Sequence, residues 1–352
     1  MYRIVSTSLI LTVISGTAIV ISSENWFVIW VGLEISTLAL VPILCSNFSP
    51  RNVEATIKYF LIQALSAALL LNSALIQAWL TGSWSILAPT NYTSSLSITI
   101  ALAFKLGLAP CHFWFPDVLQ GLPFAQGLIV ATWQKIAPLI LLFSFEQLVD
   151  SNLVIIIGLL SVLIGGWGGL NQTQVRKILA FSSIGNMGWI VTTSAYSLNA
   201  AIIMLIIYLT INTAMFLLSD LLSLYTLGHL NIIAQLSPIS IVLTTFVILS
   251  LGGLPPLTGF MIKFFSLYFL LGNGFIIPSA LLILGSLLSL FFYLRIAFNT
   301  SLVLFPHHII TLTSWRNAAN IAPFNLKTWT VSTLFVLSTA ALPLTLSLYI
   351  TI

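Results

Sequence analysis

The chain has 352 residues, of which 59% are hydrophobic and 5% charged, at a mean hydropathy of +1.11. That leaves too little polar side chain to wet the surface of a soluble domain of this length, so a soluble enzyme is excluded. The net charge of +4 is spread over short segments, which argues against a nucleic-acid-binding patch. The composition describes an all-α polytopic membrane protein.

A membrane span takes about 20 apolar residues. In chain order the sequence predicts eleven, near 3–22, 25–45, 54–80, 96–121, 124–145, 151–170, 176–196, 199–224, 238–271, 277–298 and 326–349. The longest segment between them, 299–325, holds Pro306, His307, His308, Trp315 and Arg316 and reads as a surface loop or an interfacial helix. No segment is left for a soluble catalytic, nucleotide-binding or cluster-binding domain.

Threading the spans alternately places Arg3, Arg51, Lys58, Arg176, Lys177, Arg295, Arg316 and Lys327 on the N-terminal side, with Glu24, Glu146 and Asp150 on the other. The positive-inside rule then sets the N-terminus on the side of synthesis, cytoplasm or mitochondrial matrix, and the C-terminus across the membrane. No Arg-rich amphipathic transit segment precedes the first span, which for an organellar protein favours synthesis inside the organelle. Cys45 and Cys111 lack metal-ligand spacing and read as free core thiols.

The remaining charges carry the chemistry. Glu34, Lys105, Lys135 and Lys263 lie inside apolar spans. An ionisable group at mid-membrane costs about 2.5–3.5 kcal/mol on insertion scales, and its default meaning is a proton or ion path. Two spans are also interrupted, at Lys105-Leu-Gly-Leu-Ala-Pro110 and at Leu251-Gly-Gly-Leu-Pro-Pro256. Pro removes a donor and Gly lets the chain leave helical geometry, so backbone groups are released where only protein or water can satisfy them. Paired breaks of this kind point to an internal repeat with an ion site at mid-depth. Pro110 and Pro256 stand 146 residues apart. The expected organisation is a first repeat over 1–150 with its break near 105–116, a second over 151–298 with its break near 251–259, and a loop and C-terminal helix over 299–352. Each repeat has five helices, but the halves resemble each other weakly and the lysines do not fall at equivalent positions.

The run from Lys105 through His112 to Asp117, with Gly121-Leu-Pro123, Thr132-Trp-Gln-Lys-Ile-Ala-Pro138, Trp30-Val-Gly-Leu-Glu34 and Gly252 through Lys263, resembles the subunit 2 family of mitochondrial NADH:ubiquinone oxidoreductase, respiratory complex I. This is one of the antiporter-like families of the membrane arm. Bacterial members have about fourteen spans, and animal members resemble this chain in lacking the first three. The resemblance implies that Glu34 and Lys105 form a pair, that Lys135 is the central relay lysine, and that Lys263 is the lysine of the second broken helix. It also implies a mitochondrial inner-membrane location, other membrane-arm subunits as partners, and NADH:ubiquinone reductase activity belonging to the holocomplex. NADH, flavin, iron–sulfur clusters and ubiquinone would be bound elsewhere, because the chain offers no Cys cluster, haem-ligand pair or Gly-rich nucleotide loop.

Burial opposes a charged lysine and a nearby carboxylate favours it, so moving Glu34 relative to Lys105 would act as a switch. Polar side chains or water must fill the intervals between lysines. Candidates are His112, beside the first break, and Thr132, Gln134, Ser182, Ser183, Asn186, Tyr208, Asn212 and Thr258. Asp117, Glu54 and Asp220 read as helix-end residues. Two other classes compete: a free-standing cation/proton antiporter, and a scaffold whose lysines are inert, with Glu34–Lys105 a static buried ion pair.

Overall fold

The computed structural model describes residues 3–86, 88, 91–145, 151–228, 238–303 and 326–340. Glu146, Asp150 and the whole 304–325 segment with His307, His308 and Arg316 lie outside the described residues, as does the end of the last predicted span. Fourteen helices follow one another among the described residues: α1 (Arg3–Ser22), α2 (Trp26–Leu44), α3 (Pro50–Thr81), α4 (Tyr92–Leu106), α5 (Trp114–Gly121), α6 (Phe124–Ala131), α7 (Trp133–Phe145), α8 (Ser151–Gly169), α9 (Val175–Ser194), α10 (Leu198–Leu221), α11 (Pro238–Leu251), α12 (Phe260–Gly272), α13 (Ile276–Val303) and α14 (Leu326–Ala340). Extended pairing among the described residues is confined to two isolated bridges. Among the described residues, seven helical segments are long and apolar enough to cross a membrane: Ile4–Ser22, α2, α3, Phe124–Phe145, α8, α10 and Ile276–Asn299.

The chain divides into two compact units, Met1–Ser161 and Val162–Ile352, the division falling within α8. In the first, α1 packs on α2, α2 and α4 pack on α3, and α7 packs on both α1 and α4. The α1–α2 crossing is built on glycine, since a Cβ on Gly16 would come within 2.9 Å of the Gly32 carbonyl. Between helices in lipid, where no hydrophobic effect draws them together, such close backbone approach supplies the packing. In the second unit α9, α10 and α12 pack together, α11 and α12 pack on α13, and α14 packs on α10 and α11. Arg295 of α13 donates to the Leu170 and Gln172 carbonyls at 2.7 and 2.6 Å, satisfying acceptors just past the end of α8.

Both units contain an interrupted helix, and the interruptions share a register of 146 residues. In the first, Gly107 (φ +69) closes α4, with Gly107 N–H donating to Phe104 and Leu108 N–H to Ala103. In the second, Gly253 (φ +69) follows α11, with Gly253 N–H donating to Ser250 and Leu254 N–H to Leu249. Each glycine occupies left-handed backbone that a side chain would strain, and each is followed by a cis X–Pro bond, Ala109–Pro110 and Pro255–Pro256. This register sets Lys105 against Leu251 and Asp117 against Lys263.

A third interruption was not legible in the sequence, which reads 124–145 as one continuous helix. Thr132 (φ −117, ψ −69) separates α6 from α7, and Lys135 N–H donates to the Thr132 carbonyl at 3.3 Å, an i−3 bond. Two perturbers flank the site. The Thr132 hydroxyl bonds back to the Leu128 carbonyl at 2.7 Å, and Pro138 inside α7 has no N–H to give.

Candidate functional site

Lys105 occupies the last turn of α4, immediately before the first break, and is 4% exposed. Its Nζ has no hydrogen-bond partner among the described residues. Glu34, half-buried on α2, lies within electrostatic reach of it. The two do not form a closed ion pair: the Glu34 carboxylate instead accepts from the Thr37 hydroxyl at 3.3 Å, one turn along the same helix. Glu34 and Lys105 are therefore neighbours in an open arrangement. An ammonium buried without an acceptor is unfavourable.

Lys135 is 2% exposed on α7, which packs against α4. Its Nζ stands 4.3 Å from the centroid of the Phe115 ring. Phe115 belongs to α5, just beyond the first break, and its Cβ lies 3.3 Å from where a Cβ on Gly107 would stand. The first break therefore organises both lysines, ending the helix that carries Lys105 and starting the one that carries the ring under Lys135. A cation over an aromatic face gains about 0.5–1 kcal/mol when exposed and about 2 when desolvated.

The broken helix is tied together across its gap. The Trp114 indole N–H donates to the Phe104 carbonyl at 3.1 Å. On α5, Asp117 lies 3.7 Å from Lys58 of α3, which also pairs with Glu54 at 2.8 Å, and a Cβ on Gly121 would meet Ala55 Cβ at 2.6 Å. Asp117 thus occupies the first turn of α5, whereas Glu54 lies just beyond the first turn of α3, with Lys58 between them. His112, in the break itself, is 4% exposed; its Nδ1 faces the Pro110 carbonyl at 3.2 Å and its ring lies 4.3 Å from that of Phe113.

In the second unit Lys263 extends from α12 back to the preceding break, where its Nζ donates to the Gly252 carbonyl. A cation there meets the negative end of α11. Its stem crosses Gly253, so closely that a Cβ there would fall 2.8 Å from Lys263 Cε. The Thr258 hydroxyl donates to the Ser338 carbonyl of α14.

The polar candidates sort by surroundings. Thr132 bonds within its own helix, while the Gln134 Nε2 is buried without a partner. In the second unit Tyr208 hydrogen-bonds Ser183 and, at 2.8 Å, Asn212. Tyr293 of α13 lies beside Ser182. Phe115, Trp114 and Tyr293 escaped the sequence reading because an aromatic in an apolar run carries no local sign of what it will touch.

Comparison with known proteins places this geometry. Residues 23–291 match the family described as NADH:quinone oxidoreductase/Mrp antiporter, TM, and residues 290–349 match the NADH dehydrogenase subunit 2 C-terminus. NADH-ubiquinone oxidoreductase chain 2 of Strongylocentrotus purpuratus is 72% identical over 350 residues, covering 99% of both chains. The chain belongs to the NADH-ubiquinone oxidoreductase chain 2 family. The chain 2 of Paracentrotus lividus is 68% identical over 352 residues and all of both chains, and that of Squalus acanthias 46% identical over 316 residues, 90% of this chain and 91% of the relative. Among solved structures, a chain of respiratory complex I from Thermus thermophilus superposes with a TM-score of 0.79 at 25% identity, over 97% of this chain and 80% of that one. A chain of the Mrp complex from Dietzia sp. DQ12-45-1b superposes at 0.76 and 21% identity, over 83% and 59%, a likeness of fold alone. For a chain 2 family member the antiporter-like membrane fold is thereby shown.

Proposed function

We propose that this chain is a core membrane-arm subunit of the proton-pumping NADH:ubiquinone oxidoreductase, and that Glu34, Lys105, Lys135 and Lys263 conduct protons during electron transfer from NADH to ubiquinone. The observation that carries the reading is Lys105, buried on a helix break with a free Nζ and the Glu34 carboxylate near but not closed upon it. A side chain fixed for packing alone would have its partner in place. In this reading Glu34 approaches to favour the proton on Lys105 and withdraws to release it. Lys135 takes the proton on over Phe115, and Lys263 serves the second unit, with His112 a further relay candidate.

The enzyme activity, H+-translocating NADH:ubiquinone reduction, belongs to the assembled complex, and the flavin, iron–sulfur clusters and ubiquinone site lie in other subunits. The chain would sit in the mitochondrial inner membrane with eleven spans and its N-terminus in the matrix, surrounded by lipid and by other membrane-arm subunits. Counting α4 with α5 and α11 with α12 as one interrupted span each, and adding α9 and α14 to the seven long helices, supports that number.

Two five-helix repeats are further supported by matched loop pairing. Trp26 N–H donates to the Trp84 carbonyl and Ile86 N–H to Glu24 in the first unit, and Val175 N–H to Tyr225 and Leu227 N–H to Thr173 in the second. These bridges join the α1–α2 and α3–α4 connections in one case, and the α8–α9 connection and the segment after α10 in the other.

The test is NADH-driven acidification of sealed vesicles by the complex carrying Lys135→Met, with assembly followed on native gels. Loss of pumping in an assembled complex is the expected result; normal pumping would reduce the lysines to packing. A free-standing antiporter would instead exchange cations when the chain is reconstituted alone.

A further inference from the structure

Tyr59 of α3 is 1% exposed, and its hydroxyl is buried with no hydrogen-bond partner among the described residues. A phenol O–H in that position is unfavourable unless it finds an acceptor, and buried tyrosines usually have one. Helices α2, α4 and α5 all pack on α3. The Tyr59 ring stands 6.1 Å from that of Trp114 on α5, whose indole is bonded to the carbonyl of Phe104, the residue before Lys105. From α2, Glu34 lies within electrostatic reach of Tyr59, as it does of Lys105. Two donors, the Tyr59 hydroxyl and the Lys105 ammonium, thus lack acceptors around one carboxylate. Its Oε2 takes the Thr37 contact at 3.3 Å, and Oε1 accepts no hydrogen bond among the described residues. A carboxylate offers about four lone-pair positions on its two oxygens, so it has capacity to spare.

We propose that the Tyr59 hydroxyl is the neutral donor that receives the Glu34 carboxylate when it turns away from Lys105, which makes Tyr59 a positioning residue for the switch. The phenol keeps its proton throughout. It donates a hydrogen bond and hands nothing on, so it is no step of a relay. Its effect is on the balance between two carboxylate positions. Turned to Lys105, the carboxylate meets a charged donor and leaves the phenol unpaired; turned to Tyr59, it meets a neutral donor and leaves the lysine without its counter-charge. A hydrogen bond with one charged partner is about twice as strong as a neutral one, so the phenol competes where the long Thr37 contact alone would not. The donor also stays in place while the carboxylate moves. Its neighbour Lys58 is tied to Glu54 and Asp117, and its ring lies beside that of Trp114. The positioning role rests on the proton-conducting reading above; the contact between Tyr59 and Glu34 does not.

The test is a double-mutant cycle on the assembled complex, reading NADH-driven acidification of sealed vesicles for Tyr59→Phe, for Glu34→Gln and for the two together. Phenylalanine keeps the ring beside Trp114 and removes only the oxygen. The expected result is a severalfold loss from Tyr59→Phe alone and no further loss when it is added to Glu34→Gln, since the carboxamide carries no charge for Tyr59 to place. A loss by the same factor in both backgrounds, or no loss from Tyr59→Phe alone, would overturn the assignment and leave Tyr59 as packing. If Tyr59→Phe fails to assemble, density maps of the wild-type complex at rest and during turnover decide. A Tyr59 oxygen within hydrogen-bonding distance of a Glu34 oxygen in either state supports the contact; a hydroxyl away from Glu34 in both overturns it. If Glu34→Gln alone pumps at the wild-type rate, the proton-conducting role of Glu34 has failed, and the same maps still decide the contact.

Discussion

The Nζ of Lys135 lies 4.3 Å over the ring of Phe115, a residue twenty positions earlier on the far side of a helix break. The ring offers the ammonium an attractive face that neither accepts nor donates a proton, so it steadies the charge without competing for it. Phe115→Leu is expected to weaken the hold on the charged lysine by about 0.5–2 kcal/mol and to slow NADH-driven acidification severalfold in an assembled complex. Phe115→Trp, which keeps a π-face, should retain most of the activity. Equal rates in the leucine and tryptophan variants would show that the ring only fills space.

Glu34→Gln separates a switch from a strut. Removing one partner of a closed buried ion pair costs about 3–5 kcal/mol. Here the carboxylate bonds to Thr37, and the lysine has no partner to lose. The variant should therefore assemble at wild-type levels on native gels while its acidification rate falls. Failure to assemble would mean that the closed pair dominates in the membrane.

The two break glycines can be set against a third. Gly82, closing α3 at φ +70, has nothing within 4 Å of an added Cβ, so Gly82→Ala should cost only the backbone strain of about 1–2 kcal/mol. Gly253→Ala would add displacement of the Lys263 stem. The expected order of complex yield is wild type, then Gly82→Ala, then Gly253→Ala. Equal yields from the two variants would remove Lys263 from the account of this break.

Arg295 gives a prediction about stability alone. Its two guanidinium nitrogens serve two carbonyls after α8. A lysine keeps the charge but cannot span both. Hydrogen bonds from charged donors contribute about 1.5–3 kcal/mol each, so Arg295→Lys should lower the thermal stability of the assembled complex while leaving protons pumped per NADH unchanged. A pumping defect at normal stability would contradict this purely structural role.

Membrane residence and the positions of the two long breaks were legible because the bilayer writes them in composition: apolar runs of span length, and Gly and Pro where a run must stop. Glu34 and the three lysines stood out for the same reason, as charges against an apolar background. What was not legible depends on contacts across helices. Nothing around Phe115 announces a lysine above it, and Tyr293 sits in Phe291-Phe-Tyr-Leu-Arg295 like any packed aromatic. The interruption at Thr132 is a local competition for carbonyls that apolar periodicity does not register. The shared register of the two breaks was obscured by substitution at matching positions, Asp117 as the fourth residue of α5 standing where Lys263 stands as the fourth of α12.

The ties around the first break carry a mechanical consequence. Trp114 holds α5 to α4, Lys58 and the Gly121 contact hold α5 to α3, and Phe115 rides on that same short helix. The gap in the helix is therefore a braced joint, and its two halves do not swing apart freely. Under the proposed proton-conducting role, the moving part against this frame is the Glu34 side chain, whose carboxylate is held only by a 3.3 Å contact from the Thr37 hydroxyl. A signal arriving here needs only to reorient one carboxylate against a fixed frame.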